Sequence, residues 1–386
     1  MKKIMIFIGS YLPGTKSAGV TTSISNMVKE LRDKYEFYIV TADRDIGDVR
    51  PYTSVELEKW VEYKGSKVFY SGRYLKSFKV LCDIINSIDV DIYYFNGFYN
   101  LRDTARVLLL YKLKFIPKKT LIIAPRGIFS MGEFNTHKIF RKIYEKIFVI
   151  LKLQKNVYWH ATSNNEKNDI LRIFPNVEEK ISVIENLSGI KINSYRKKLS
   201  KKVGTIKIIF ISRISEKKNI KYIIDVLKKV TGNIEFNLYG MIGTEEDKRY
   251  GKECEQECKK LPNNIKVIYH GEIDHDKISE VYSSHHLFFF PTFGENYGHV
   301  IAESLANGCP ILLSDTTPWC MLEKYNAGWI YSLGDKERFI KKLQELINCN
   351  QEQWNKYSCG ALNAAQILIN PSKVKKQYYE FFDKFH

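Results

Sequence analysis

The chain has 386 residues, 44% of them apolar, and a net charge of +17 at pH 7. At roughly 100–200 residues per domain this length points to two domains, and the apolar share fills two ordinary cores, which excludes a disordered chain. The seven cysteines are odd in number and scattered, which fits reduced thiols; Cys254 and Cys258 lack the second ligand pair that a zinc site requires.

The first element is a short apolar run, Ile4–Ile8, behind two lysines and closed by Gly9, Ser10 and Pro13. A signal-peptide core needs about 7–15 apolar residues, so this run is a first β-strand. Similar β-branched runs recur at Phe37–Val40, Ile92–Phe95, Leu121–Ala124 and Val157–Ala161, with helical segments between them. They restart at Ile206–Ile211 and continue at Ile234–Tyr239, Ile265–Tyr269, Leu287–Phe290 and Ile311–Leu313. The alternation predicts α/β architecture: two doubly wound domains, each with a parallel sheet buried on both faces. The lysine- and serine-containing stretch Tyr195–Gly204 reads as the linker, giving domains of 1–195 and 196–370. No stretch approaches the roughly 20 apolar residues of a membrane span, and the expected location is the cytoplasm.

Charge is uneven. From Leu101 to Lys155 there are 13 lysines and arginines against three acids. Such a segment attracts a polyanion, an anionic membrane surface or nucleic acid, or else it simply solvates the surface. Within it, residues 137–155 place Ile139, Phe140, Ile143, Ile147, Ile150 and Leu151 near helical spacing, with Lys138, Arg141, Lys142 and Lys146 between them. The apolar stripe is expected to pack on the sheet, while the lysines draw the protein to the inner face of the cell membrane. No nucleic-acid motif or stacking platform accompanies the charge, which argues against a nucleic-acid partner.

In doubly wound sheets, ligands bind beyond the carboxyl ends of the strands. Two such loops carry chemistry. After Ile211 come Ser212-Arg213-Ile214-Ser215-Glu216-Lys217-Lys218, two cations near a helix start that suit a diphosphate, or a basic surface loop. After Phe290 come Glu295-Asn296-Tyr297-Gly298-His299 and a helix containing Glu303. Free N–H groups at that helix start favour oxyanions and hydroxyls, and Gly298 permits close approach. Glu295 and Glu303 are too far apart for a glycosidase pair but suit two hydroxyl-bearing ends of one extended ligand; solvated acids are the plainer alternative.

The Glu295-to-Glu303 spacing resembles the E-x7-E motif of glycosyltransferase family 4. Arg213 and Lys218, five apart, are similar to that family's arginine and lysine. Ser17-Ala18-Gly19-Val20, Thr162 to Glu166, Asn307 to Pro310 and Ser314 to Trp319 resemble further segments in the same order. The resemblance implies a GT-B fold, two Rossmann-like domains facing across a cleft, with 371–386 crossing back to the first. It implies a retaining transfer of a hexose-type sugar from a UDP- or GDP-linked donor to a glycan or lipid-linked glycan, as in capsule or lipopolysaccharide synthesis. It implies that Arg213 and Lys218 hold the diphosphate and that Glu303 receives the ribose hydroxyls. Glu295 and the backbone of Asn296, Tyr297, Gly298 and His299 grip the sugar, and Gly19 nears the diphosphate. Many members carry a histidine where this chain has Arg126, in Ala124-Pro125-Arg126-Gly127. An arginine cannot act as a general base, so Arg126 is expected to bind phosphate or acceptor, with His137 as a source of imidazole. Cations replace a metal in this architecture, so Asp89-Val90-Asp91 and Asp274-His275-Asp276 are expected to be structural and no cofactor is expected. The glutamate pair and Thr316-Thr317-Pro318-Trp319 weigh against a non-transferase relative such as a sugar-nucleotide epimerase. The intact Arg213, Lys218, Glu295 and Glu303 weigh against a partner protein without catalysis.

Overall fold

A computed structural model describes residues 1–14, 18–45, 47–73, 77–130, 138–190, 192 and 199–385. The chain forms two compact units: Met1–Leu187 with Pro371–His386, and Ser188–Asn370. The division falls a few residues before the expected 195, itself outside the described residues. The reason is packing: Ile184 and Leu187 are buried in the first unit's core, and Asn26 donates to the Leu187 carbonyl at 3.1 Å.

The first unit runs β1 (Lys2–Phe7), α1 (Ala18–Leu31), β2 (Tyr35–Thr41), β3 (Trp60–Tyr63), β4 (Ser66–Tyr70), α2 (Phe78–Asn86), β5 (Ile92–Asn96), α3 (Arg106–Lys112), β6 (Thr120–Ala124), α4 (Lys138–Ile150), β7 (Val157–Ala161), α5 (Asn164–Ile173) and β8 (Ile181–Val183). These strands form an eight-stranded sheet in the order β3-β4-β2-β1-β5-β6-β7-β8. All pairings are parallel except β3 with β4. Strands buried on both faces must be apolar throughout, as Ile4, Met5, Ile6 and Phe7 are. One face is closed by aromatic rings: Phe129, Phe148, Trp159 and Phe174 lie 5.2, 4.9, 5.7 and 5.4 Å from the Phe98 ring centroid.

The second unit runs β9 (Thr205–Ile211), α6 (Ile220–Leu227), β10 (Asn233–Tyr239), α7 (Glu245–Cys258), β11 (Ile265–Tyr269), α8 (Ile278–Ser283), β12 (Leu287–Phe290), α9 (His299–Ala306), β13 (Ile311–Ser314), β14 (Gly328–Tyr331), α10 (Lys336–Asn348) and α11 (Gln351–Leu368). Its six parallel strands are ordered β11-β10-β9-β12-β13-β14. Capping boxes start two helices, Thr244 with Asp247 on α7 and Asn350 with Gln353 on α11. The closing helix α12 (Pro371–Asp383) belongs to the first unit, where Tyr378, Phe381 and Phe382 are buried with Ile4, Ile6 and Tyr35.

Both units are therefore parallel-sheet α/β domains, as the strand pattern predicts. No helix of the described residues is long and apolar enough to cross a membrane.

Candidate functional site

Strand order locates the site of the second unit. From β9 the chain moves outward through β10 to β11, then returns to the other side of β9 with β12. The crevice at such a switch point, beyond the carboxyl ends of β9 and β12, is where ligands bind in open α/β sheets. The loops leaving these two strands are the ones that carry Arg213 and Lys218, and Glu295 to His299.

The loops are stitched together by hydrogen bonds. Asn219 donates its side-chain amide to the Pro291 carbonyl at 3.0 Å. The Lys217 carbonyl accepts from Thr292 Oγ1 at 3.0 Å and from the Phe293 N–H at 2.9 Å. A third segment braces them: Ser314 Oγ and Thr316 Oγ1 donate to the Thr292 carbonyl at 2.6 and 2.7 Å, and Trp319 Nε1 donates to the Tyr297 carbonyl at 2.6 Å. Glycine is required where backbones meet. A Cβ at Gly240, at φ +151°, would stand 1.7 Å from the Ser212 carbonyl oxygen, against the loop that carries Arg213. Gly298, at φ +80°, is the N-cap of α9 and offers no side chain to its N–H groups.

The charges within this frame differ in availability. Lys218 donates to the Glu295 carboxylate and lies 5.3 Å from the Phe290 ring centroid. Burial pushes the Lys218 ammonium below its usual value, while Glu295 opposes that shift. Arg213 is about half exposed, and among the described residues its one ion-pair partner is Asp247, at 3.8 Å. Asp247 is also engaged in capping α7. Arg213 therefore presents a guanidinium with little internal commitment, the state suited to receiving a doubly charged ligand.

Glu303 faces the opposite situation. It is 9% exposed on α9, and burial is what acts on its carboxyl. Burial raises it from 4.5 to about 7. Burial disfavours the charged carboxylate, so a ligand that donates hydroxyls to it offsets part of that cost.

Arg126 closes β6 in the first unit with a positive φ of +61°. It donates through Nε to Asn96 Oδ1 at 3.0 Å, through Nη1 to Asn186 Oδ1 at 2.6 Å and through Nη2 to the Tyr94 hydroxyl at 3.1 Å. Three of its five N–H groups are thereby used on its own unit. Beyond it, the Tyr94 hydroxyl meets His160 Nδ1 at 2.5 Å, and His160 Nε2 meets the Ile184 carbonyl at 2.9 Å. A carbonyl only accepts, so Nε2 carries the proton, Nδ1 accepts from Tyr94, and Tyr94 accepts from Arg126. Glu166 holds the same turn, accepting from the Gly127 and Thr162 N–H groups, each at 2.7 Å. Sequence reasoning missed Tyr94, Asn96, His160, Glu166 and Asn186 as Arg126's setting. The available signal was the place of Asn96, His160 and Asn186 at or just beyond the carboxyl ends of β5, β7 and β8; Tyr94 lies mid-strand and Glu166 in α5.

Gly19 lies in the first turn of α1, and nothing stands within 4 Å of a Cβ built on it. Ser17 and His137 lie outside the described residues. In the first D-x-D sequence, Asp89 pairs with Lys119 at 2.7 Å and Asp91 accepts from the Lys3 N–H at 2.7 Å. In the second, Asp274 sits 3.4 Å from Lys277. No three potential metal ligands cluster among the described residues.

The basic segment departs from expectation. Of the apolar stripe expected on the sheet, Leu151 packs against the first unit's core, but Ile139, Phe140, Ile143, Ile147 and Ile150 are exposed. The helix packs instead by Tyr144 and Phe148, whose rings lie 5.0 and 4.9 Å from Phe98. Rings reaching the aromatic cluster decide which face turns inward, and the isoleucines are left on the other side of the helix.

Solved structures share this architecture. HepE (Alr3699) of Anabaena, in complex with UDP and glucose, has a TM-score of 0.72 at 16% identity, over 100% of both chains. Sucrose-phosphate synthase of Thermosynechococcus elongatus has a TM-score of 0.73 at 14% identity, over 100% of this chain and 99% of that one. These likenesses define the fold as GT-B. In sequence, residues 191–359 match the family model described as glycosyl transferases group 1. The chain is 25% identical over 236 residues to the uncharacterized glycosyltransferase MJ1607 of Methanocaldococcus jannaschii, 55% of this chain and 59% of that protein's length. The fold and the family match together support a GT-B glycosyltransferase.

Proposed function

We propose that this chain transfers a hexose-type sugar, with retention, from a nucleotide-diphosphate sugar to a glycan or lipid-linked glycan acceptor in surface polysaccharide synthesis. The observation that carries the reading is the Lys218–Glu295 pair joining the loops after β9 and β12, with Arg213 on the first of these loops and Glu303 on the helix that follows the second. The structural neighbours described as bound to UDP, or to UDP-glucose, support a uridine donor.

In this reading Arg213 and Lys218 neutralise the donor diphosphate. Lys218 then exchanges part of its contact with Glu295 for a phosphate oxygen, which leaves Glu295 able to accept from a sugar hydroxyl. Glu303 accepts from the ribose hydroxyls. The acceptor oxygen bonds to the anomeric carbon as the bond to the diphosphate breaks, and a diphosphate oxygen takes the acceptor proton. Catalysis then rests on stabilising the departing diphosphate rather than on a protein nucleophile. Arg126 holds the turn after β6 and keeps two N–H groups for a phosphate or acceptor oxygen. The basic segment 101–155 places the protein at an anionic membrane surface, near a lipid-linked acceptor.

A thermal-shift screen against UDP-, GDP- and ADP-sugars tests the donor site. A shift with one nucleotide class, weakened in Glu303→Ala, supports it. No shift with any of them contradicts it.

A further inference from the structure

The loops leaving β9, β12 and β13 are dense in hydroxyls, and several are used within the protein. Thr292, fully buried, donates to the Lys217 carbonyl at 3.0 Å. Ser314 Oγ and Thr316 Oγ1 donate to the Thr292 carbonyl at 2.6 and 2.7 Å. Two hydroxyls beside them behave differently. Ser215 Oγ and Thr317 Oγ1 are shielded from solvent, on residues 4% and 5% exposed, and neither has a hydrogen-bond partner among the described residues. One further side-chain hydroxyl of the described residues, that of Thr41 in the first unit, shares this state.

Ser215 departs from what serines do at helix starts elsewhere in this chain. Ahead of α2 and α5, Ser77 and Ser163 accept from the N–H three residues on, that of Val80 and of Glu166. Ser215 has the same extended backbone ahead of the turn Glu216–Lys218, yet its side chain makes no capping bond. The Lys218 N–H goes instead to the Ser215 carbonyl, at 3.0 Å. The hydroxyl is thus left over in the loop that carries Arg213 and Lys218. Thr317 lies in the segment that braces the other loop: the Thr316 carbonyl accepts from the Glu295 N–H at 3.4 Å, and Trp319 Nε1 donates to the Tyr297 carbonyl at 2.6 Å. Both segments meet at Thr292, whose hydroxyl reaches Lys217 and whose carbonyl receives Thr316.

A buried hydroxyl without a partner is destabilising, so two of them at one crevice call for a partner that the protein itself does not supply. A phosphate oxygen only accepts, and a serine hydroxyl beside two cations is suited to donate to it; a sugar hydroxyl can bond a threonine hydroxyl in either sense. One χ1 rotation re-aims each hydroxyl. We propose that Ser215 and Thr317 are donor contacts: Ser215 Oγ donates to a diphosphate oxygen alongside Arg213 and Lys218, and Thr317 Oγ1 bonds a hydroxyl of the transferred sugar beside Glu295. The proposal rests on the nucleotide-diphosphate-sugar reading of this site and adds two uncharged contacts to it.

The test is titration calorimetry of UDP-glucose and of UDP (or of the guanosine or adenosine pair, if wild type prefers it) into wild type, Ser215→Ala and Thr317→Val, with the melting temperature of each ligand-free protein. Each substitution removes an unpartnered hydroxyl and little volume, so both variants are expected to melt at or above wild type. Ser215→Ala is expected to weaken UDP and UDP-glucose alike, by about tenfold. Thr317→Val is expected to weaken UDP-glucose by about fivefold and to leave UDP unchanged. A variant that melts below wild type reveals a structural partner for its hydroxyl and overturns that assignment. So does a variant that binds both ligands as wild type does, and equal weakening of UDP by Thr317→Val overturns its assignment to the sugar. These three results leave the donor reading standing. Wild type that binds none of UDP-, GDP- or ADP-glucose overturns the donor reading and the proposal together.

Discussion

Lys218 of the loop after β9 donates to the carboxylate of Glu295 in the loop after β12, and their side chains are only 14% and 15% exposed. The pair joins the two loops at the switch point of the sheet. Removing one partner strands the other charge in a water-poor place, which costs about 3 kcal/mol or more, whereas removing both is far milder. Lys218→Ala is expected to lower the unfolding free energy by about 3 kcal/mol, and Lys218→Met/Glu295→Gln to fall within about 1 kcal/mol of wild type. Urea denaturation measures both. A Lys218→Ala protein as stable as wild type would show that the pair contributes no net stability.

Glu303 makes stability and donor binding depend on pH in a defined direction. Its carboxyl is raised from 4.5 to about 7 by burial. The folded state thus holds the proton more tightly than the unfolded chain does. Its contribution is complete below pH 4.5 and is lost as pH rises through 7, a loss of about 3 kcal/mol at 1.4 kcal/mol per unit. Glu303→Gln is neutral at every pH. It is expected to match wild type in stability below pH 4.5 and to exceed it above pH 7. Hydroxyl donors favour the charged form, so donor binding near pH 7 is expected to release a proton. Calorimetry in buffers of different ionisation enthalpy detects that release.

His160 shifts the opposite way. Burial, reinforced by the Arg126 charge, lowers it from 6.5 to about 3. The unfolded chain binds the proton more readily, so the stability this residue contributes is present above pH 6.5 and is lost as pH falls toward 3. An NMR titration is expected to find the ring neutral and protonated on Nε2 at pH 5. A charged ring at pH 5 would contradict the assigned direction of the Arg126–Tyr94–His160 chain.

Transfer activity is expected to persist in excess EDTA, because Arg213 and Lys218 supply the positive charge at the proposed diphosphate position. Activity lost to EDTA and restored by manganese would contradict this.

The strands legible in the sequence are those dominated by apolar residues, such as Leu287 to Phe290. The others are short or interrupted. In β3 and β4, Glu62 and Lys67 break the runs on either side of a turn at Lys64-Gly65; β8 has three residues, and β14 opens on Gly328. The loop positions of Arg213, Lys218 and Glu295 were legible because each follows an apolar strand, and Glu303 because it lies in the helix that the same loop opens. The Lys218–Glu295 pair was not, since residues 77 positions apart meet only through the β9–β12 pairing. Nor was the outward face of α4, because periodicity gives a helix its stripe without saying which stripe packs. Here Tyr144 and Phe148 decide it through rings that lie far away in sequence.

The second unit is proposed to bind a nucleotide-diphosphate sugar through Arg213. The side chain of this residue is 48% exposed, and among the described residues it pairs with Asp247 alone, at 3.8 Å. Arg213→Ala should therefore leave stability within about 0.5 kcal/mol of wild type while removing a charge-assisted diphosphate contact. Titration calorimetry of UDP-glucose into both proteins is the most direct measurement. Binding to wild type is expected, with an affinity about 100-fold weaker in the variant and equal melting temperatures. Equal affinity in the two proteins, or no binding of UDP-, GDP- or ADP-glucose to wild type, would contradict it.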